Sequence, residues 1–350
     1  MRFGFDLPTR DLALYSVDPS HQDVATRENL VAVACRGEEL GFDSAWVADH
    51  IVIPTASTRY PYTEDGHYPF DPSKDFFEPI VTLAFLAGIT RRLRIGVSVL
   101  IVPYRNPVMT AKMLATLDVL SGGRLTLGIG TGWWEEEYRA LGLSTFGRRA
   151  ACTDEYIRIF KELWTNDAPR FEGQFQSFAD IRCNPKPAQK PHPPIWVGGH
   201  SDAALRRAVT HGNAWHPIAL RKPVELLPEE LGTRVRTLRA MLAAAGRGHE
   251  RFDVCLRILL KFSPDAAPRP MTGPPAKVVE DLLAYHRAGV THVVLDTVMD
   301  SAEGMMDTLE RFATEVRPHV AKEVGPEAAA ERRRPLDPAP AASCRTCPMP

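Results

Sequence analysis

Asp49 and His50 close an apolar run, Ser44-Ala45-Trp46-Val47-Ala48. A neutral imidazole can take or give a proton near pH 7, and a neighbouring acid or ring can tune it. The plain alternative is an aspartate that caps the next turn beside an exposed histidine. A second candidate is Gly128-Ile129-Gly130-Thr131-Gly132-Trp133-Trp134-Glu135-Glu136-Glu137, with glycine at every second position, then two tryptophans and three glutamates. Alternating glycine weakens a strand, because it adds backbone entropy and packs nothing. The pattern points to something flat or charged coming close to the main chain. Adjacent tryptophans at a strand end are too large for both to be core, so at least one should line a cavity. Glu135 or Glu137 could supply an acid or could be solvated loop charges.

Three further segments carry weaker signals. Trp196-Val197-Gly198-Gly199-His200-Ser201-Asp202 opens a helix, where glycines and a serine cap can hold a phosphate on backbone N–H groups and the helix dipole. Ordinary capping by Ser201 explains the same residues, and Asp202 would repel an anion if it pointed inward. Gly96 and Ser98, inside Arg94–Ile101, leave room for a ring against the backbone or mark a taper in packing. Arg105-Asn106-Pro107 reads as structural, with Asn106 as cap and Pro107 as first helical residue. Trp215-His216-Pro217 and Asp296 end two more apolar runs. A metal site from Asp49, His50, His216 and Asp296 is disfavoured, because no His-x-His pair or His-Glu-x-x-His is present. Cys344-x-x-Cys347 has no second pair and reads as chance.

The elements that must position these residues are eight short strands: Arg2–Asp6, Ser44–Asp49, Arg94–Ile101, Leu125–Ile129, Pro194–Gly198, Asn213–Pro217, Asp253–Leu260 and Thr291–Asp296. Most are unbroken apolar runs, as in strands buried on both faces. Helical spacing separates them, as at Met109, Met113, Leu117 and Leu120, or at Ile157, Phe160 and Trp164. Eight strands alternating with eight helices predict an α/β fold, a (β/α)8 barrel with insertion loops. A doubly wound sheet needs a glycine-rich turn after its first strand, and here Leu7-Pro8-Thr9 stands there. Pro54–Phe77 and Trp133–Arg148 are long loops at the face where barrel enzymes build their sites, which predicts a deep, partly lidded pocket. Ala168–Pro193 reads as a hairpin and an extended arm before strand five. The barrel domain is expected over residues 1–322, with an Ala/Pro/Arg-rich tail over 323–350.

Lysine plus arginine is 42 against 43 acids, so the charge offers no argument for nucleic acid or an anionic membrane. No run approaches ~18 apolar residues, and the first strand leaves no room for a signal peptide. Cys35, Cys152, Cys183 and Cys255 are scattered singly, which suits reduced thiols and a cytoplasmic setting.

Together these segments resemble the bacterial luciferase-like monooxygenase family, and within it the coenzyme F420-dependent oxidoreductases. The resemblance spans Met1 to Arg317 and rests on Trp46–His50, Ile95–Leu100, Ser121–Trp133 and Gly198–Ser201. It implies a deazaflavin ring at the C-terminal mouth of the barrel, over a bulge in strand three with a non-proline cis peptide at Ser98-Val99. Asp49 and His50 match positions at the ring, with His50 handling the proton. Thr131 and Gly132 would follow the cofactor's chain, and Gly198, Gly199 and Ser201 would meet its phosphate. Trp46 and Trp133 would be pocket wall, with Trp215 a further candidate. The chain departs from the sugar-phosphate dehydrogenase branch, which has a glutamate where Trp133 stands and a tryptophan where this chain has Ile53-Pro54. The implied activity is hydride transfer between the deazaflavin C5 and a small organic substrate. An FMN-dependent monooxygenase fed by a separate reductase is the alternative. Homodimers are usual in the family, and the apolar helices after strands two and three could supply the interface.

Overall fold

The computed structural model describes residues 1–10, 24–55, 60–64, 66, 72–220, 222–298 and 301–325. Eight strands, Arg2–Asp6, Ser44–Val47, Arg94–Ile101, Leu125–Gly130, Ile195–Gly198, Ala214–His216, Asp253–Phe262 and His292–Thr297, are all parallel. Each pairs with the next and the eighth with the first, so the sheet closes into the expected barrel. Burial from both the interior and the helix layer is why these strands read as apolar runs. Helices Arg27–Glu39, Pro79–Ile89, Pro107–Leu120, Arg149–Thr165, Asp202–His211, Pro228–Ala244, Pro275–Arg287 and Ala302–Arg311 lie between and after them. Their starts are written locally. Thr26, Asn106, Ser201 and Ser301 accept backbone N–H groups as caps, and Pro79, Pro107, Pro228 and Pro275 occupy first turns.

Some boundaries differ from expectation. Strand two stops at Val47, not Asp49, because the Asp49 carboxylate takes the Ile101 N–H at 2.8 Å and ties the chain sideways. Trp133–Arg148 is not all loop; it holds the helix Glu135–Ala140 and a turn of 3-10 helix at Phe146–Arg148. The last helix passes into a π-helical stretch, Phe312–Val316, and a further helix, Arg317–Val324. The hairpin is present as Phe171–Glu172 paired with Ser177–Phe178. Its turn is gathered by Glu155, which accepts the N–H groups of Gln174, Phe175 and Gln176. The tail with Cys344 and Cys347 lies outside the described residues. Val81, Met109, Val119 and Leu120 leave apolar surface exposed on the helices after strands two and three.

A layer of aromatic and polar side chains fills the barrel interior. Trp46 stacks on Trp196 with ring centroids 4.6 Å apart, and His216 and His292 pack against the pair. Trp46 Nε1 donates to Ser44 Oγ at 2.9 Å, and Ser44 Oγ meets His292 Nε2 at 3.0 Å. The ring expected against Gly96 is therefore the protein's own: a Cβ there would lie 2.5 Å from Trp46 Cζ3. Trp46 is thus barrel core, not pocket wall. The alternating glycines of strand four have a related cause. Register between strands three and four shifts between Val97 and Leu100, where the Ser98-Val99 peptide is cis. Beside this shift a Cβ at Gly128 would lie 2.2 Å from Val97 O, and one at Gly130 would lie 2.5 Å from Val99 Cγ2. Gly128→Ala should cost ~1–3 kcal/mol, since backbone must move to relieve an overpacked contact. The measurement is the urea midpoint by tryptophan fluorescence, and an unchanged midpoint would show that strand three is not held against strand four.

Candidate active site

The strand ends open into a cavity of about 440 Å³ at the C-terminal face of the barrel. Its wall combines backbone from strands three to five with the rings of Tyr60, Phe76 and Trp133. Tyr60 and Phe76 come from the loop after strand two, Trp133 from the one after strand four. Two insertions expected to wall the pocket therefore do so.

His50 stands at this cavity with its side chain 14 % exposed. Its Nδ1 lies 2.7 Å from Oε2 of Glu137, a fully buried carboxylate. Glu137 also accepts the Tyr104 hydroxyl at 2.8 Å and the N–H groups of Ile51 at 2.6 Å and Val52 at 3.3 Å. A carboxylate that only accepts must receive the Nδ1 proton, so the neutral ring carries its lone pair on Nε2. Burial and the adjacent Glu137 hold the Tyr104 hydroxyl far above the usual phenol range, keeping it a donor. The edges of Phe76, Trp133 and Trp134 close on the imidazole at centroid distances of 5.4, 6.2 and 5.4 Å. Trp133 stacks on the buried Trp134 at 4.8 Å. One of the adjacent tryptophans borders the cavity and the other backs it.

Asp49 is placed beside His50 but has a different occupation. Both its oxygens pair with Arg105 at 2.8 Å, and Arg105 also reaches Glu78, the cap of the helix Pro79–Ile89. Burial would lower the Arg105 pKa, yet the Asp49 and Glu78 partners hold it above its ordinary value. Asp49 thus borders the cavity as a neutralised brace. Ser98, Val99, Thr131, Gly132, Gly198 and Gly199 all line the cavity. Ser201 does not: it is exposed and its hydroxyl accepts the Ala204 N–H at 3.2 Å, the ordinary capping role. Asp202 points to solvent, 3.7 Å from Arg234. Trp215 also leaves the pocket set, since it is fully buried and donates Nε1 to Gly199 O at 2.8 Å.

Below the mouth lies a second polar layer. His216 Nε2 is 2.7 Å from Ser98 Oγ and its Nδ1 is 2.5 Å from Cys255 O. Arg257 donates to Ser98 O at 2.8 Å and pairs with Asp6 and Asp296 at 2.9 and 3.0 Å. Arg10 joins the set through Asp6 at 2.5 Å. Arg10, Arg257 and Tyr104 were not singled out from sequence. The one available signal was Arg257 standing inside the apolar run Val254–Leu260. Among the described residues no three His, Cys, Asp or Glu side chains converge in a metal-holding group, and no helix is long and apolar enough to cross a membrane.

Fold and cavity define a (β/α)8 barrel with its candidate site at the C-terminal face. The chain belongs to the luciferase-like monooxygenase family, whose model matches residues 1–270. It is 40% identical over 179 residues to an uncharacterized Mycobacterium tuberculosis protein, covering 51% of this chain and 61% of that one. The chain thus spans less than two thirds of that relative. It is 34% identical over 240 residues to the F420-dependent glucose-6-phosphate dehydrogenase of Amycolatopsis mediterranei, covering 68% of this chain and 66% of that protein. An FMNH2-dependent dimethylsulfone monooxygenase of Pseudomonas putida is 39% identical over 121 residues, covering 34% of this chain and 33% of its own. A monooxygenase structure from Streptomyces bottropensis superposes with a TM-score of 0.71 at 21% identity, covering 92% of this chain and all of that one. The family thus includes relatives named for each cofactor.

Burial pushes the His216 imidazole down to about 4, against the Cys255 carbonyl and with the Arg257 charge. The unfolded chain takes a proton at this site near pH 6.5, while the folded chain resists until about 4. Stability is therefore complete above pH 6.5 and falls as pH drops through that window, by on the order of 3 kcal/mol. His216→Gln should lose less stability between pH 7 and pH 4 than the parent in urea titrations. Equal losses would assign the acid sensitivity elsewhere.

Proposed function

We propose that this protein is a coenzyme F420-dependent oxidoreductase that moves a hydride between the deazaflavin C5 and a small organic substrate. The observation that carries the reading is the cavity-facing His50, oriented through Nδ1 by the buried Glu137 and Tyr104. Oxidising an alcohol, or reducing a carbonyl, moves a hydride at carbon and a proton at oxygen, and the second is the part assigned to the cavity-lining His50. Bound deazaflavin supplies the hydride acceptor or donor. The residues present fit such a ring: Val99 and the backbone at Gly130–Gly132 form one wall, and Gly198 and Gly199 offer main chain without side-chain bulk. In the oxidative direction His50 Nε2 takes the hydroxyl proton, and in reduction it returns it. Glu137 keeps the tautomer and the ring plane, and the rings of Tyr60, Phe76 and Trp133 exclude water around the reacting carbon.

The 240-residue similarity to the F420-dependent dehydrogenase supports the deazaflavin over FMN, for which the shared stretch is 121 residues. A reductase supplying reduced cofactor would be a partner under the FMN reading. The exposed Val81, Met109 and Leu120 support a homodimer.

His50→Ala should retain coenzyme F420 binding and lower single-turnover hydride transfer by about 10²–10⁴-fold. Glu137→Gln should lower it less, because one of the two accepting oxygens becomes an NH2 group that faces donors and the ring is held less firmly in one tautomer. An unchanged rate in His50→Ala would remove the proposed role. Anaerobic titration with reduced F420 and reduced FMN distinguishes the cofactors; tight FMN binding with oxygen-dependent product would replace this reading by the monooxygenase one.

A further inference from the structure

The proton transfer does not use a set of ionic side chains on and just after strands one, seven and eight. Arg10, Asp6, Arg257 and Asp296 are each at least 94 % buried, and Arg10, Arg257 and Asp296 border the cavity. Asp6 Oδ2 accepts from Arg10 at 2.5 Å and from Arg257 at 2.9 Å. Asp296 Oδ2 accepts from Arg257 Nη2 at 3.0 Å and Nε at 3.3 Å. The other oxygen of each carboxylate, together with Arg10 Nη1, is buried with no hydrogen-bond partner among the described residues. A buried polar atom left so costs about 1–3 kcal/mol, more when charged. Three in one ionic set would be selected against if the fold were their only purpose.

The pattern presented to the cavity is one N–H donor, on Arg10, beside one carboxylate acceptor, on Asp296, with Asp6 behind them. Asp296 Oδ1 stands 4.0 Å from Arg10 Nη2, beyond a direct hydrogen bond and close enough for one small group to bridge. Two guanidinium groups and two carboxylates cancel, so the set has no net pull on an anion, and its unpartnered oxygens would repel one. A neutral group with a carbonyl oxygen next to an N–H satisfies both kinds of atom at once. The aromatic rings above it suit an apolar body on the same molecule.

We propose that Arg10, Asp6, Arg257 and Asp296 form the polar anchor of the substrate site, and that the substrate class is a neutral carboxamide or imide with an apolar or aromatic body. The assignment rests on the oxidoreductase reading only for calling this ligand the substrate. Its recognition chemistry stands without the cofactor. Arg10 donates to the carbonyl and Asp296 accepts from the nitrogen, while Asp6, which does not border the cavity, holds Arg10 and Arg257 in place.

The test is calorimetric titration of the full chain, with no cofactor added, using benzamide and benzoate as probes at pH 7.5. Benzamide is expected to bind saturably and at least tenfold more tightly than benzoate. Arg10→Met and Arg10→Lys should each weaken it about tenfold or more, with near-UV circular dichroism and F420 affinity like the parent. Asp296→Asn provides a second variant that alters the acceptor instead. Tighter binding of benzoate would overturn the proposal; burial raises the Asp6 pKa, and a protonated Asp6 would leave the set positive and anion-seeking. Absence of benzamide binding, or binding unchanged in the folded variants, would overturn it as well. Amide binding that depends on Arg10 in a protein that does not take F420 would sink the cofactor reading and leave this subsite standing.

Discussion

Glu137 joins three parts of the barrel mouth through one buried carboxylate. It accepts from the loop after strand two at Ile51 and Val52, from the turn after strand three at Tyr104, and from the His50 ring. It belongs to the short helix after strand four. Such a carboxylate cannot be exchanged for an apolar residue without stranding its donors, which is the asymmetry between making and breaking a buried hydrogen bond. The imidazole is consequently positioned by the same contact that closes the strand ends. Asp49 and Arg105 repeat the arrangement one step away, bracing strand two to strand three and to the cap of the following helix.

The fold was legible because its signals are local. Continuous apolar runs mark strands buried on both faces, and caps such as Asn106 followed by Pro107 mark where helices begin. Four of the glycines singled out at the strand ends, with Ser98, Val99, Thr131 and His50, line the cavity, since a barrel delivers strand ends to one rim. What failed to read correctly depended on facing direction across the barrel. Trp46 is in a short strand, and nothing in its neighbours says that its indole fills the space over Gly96. Trp215 lies one residue from the cavity-lining His216, and alternation sends it the other way. Glu137 could be named but not placed, because its four donors come from segments more than thirty residues distant. Arg10 and Asp6 are joined by Arg257 and Asp296 only once strands one, seven and eight are brought side by side.

The interior shows two ways of burying polar groups. Near the floor, Ser44, His292 and Trp46 form a short chain in which the hydroxyl receives from one ring and faces the nitrogen of the other. Burial keeps His292 well below the ordinary imidazole range, so this chain is uncharged at neutral pH. Nearer the mouth, ions of both signs are packed together. Uncharged layers cost less to desolvate and suit a permanent core, while a charged layer keeps strong, directional hydrogen bonds for whatever meets it.

Trp46 stacked on Trp196 also has a bearing on traffic. The two indoles, at 0 % and 7 % exposure, stopper the barrel beneath the cavity. Among the described residues, the rim is the route left for molecules to come and go. Two guests sharing such a chamber have to queue, the deeper one arriving first and departing last, so the kinetics of a two-ligand reaction here would show compulsory order instead of random association.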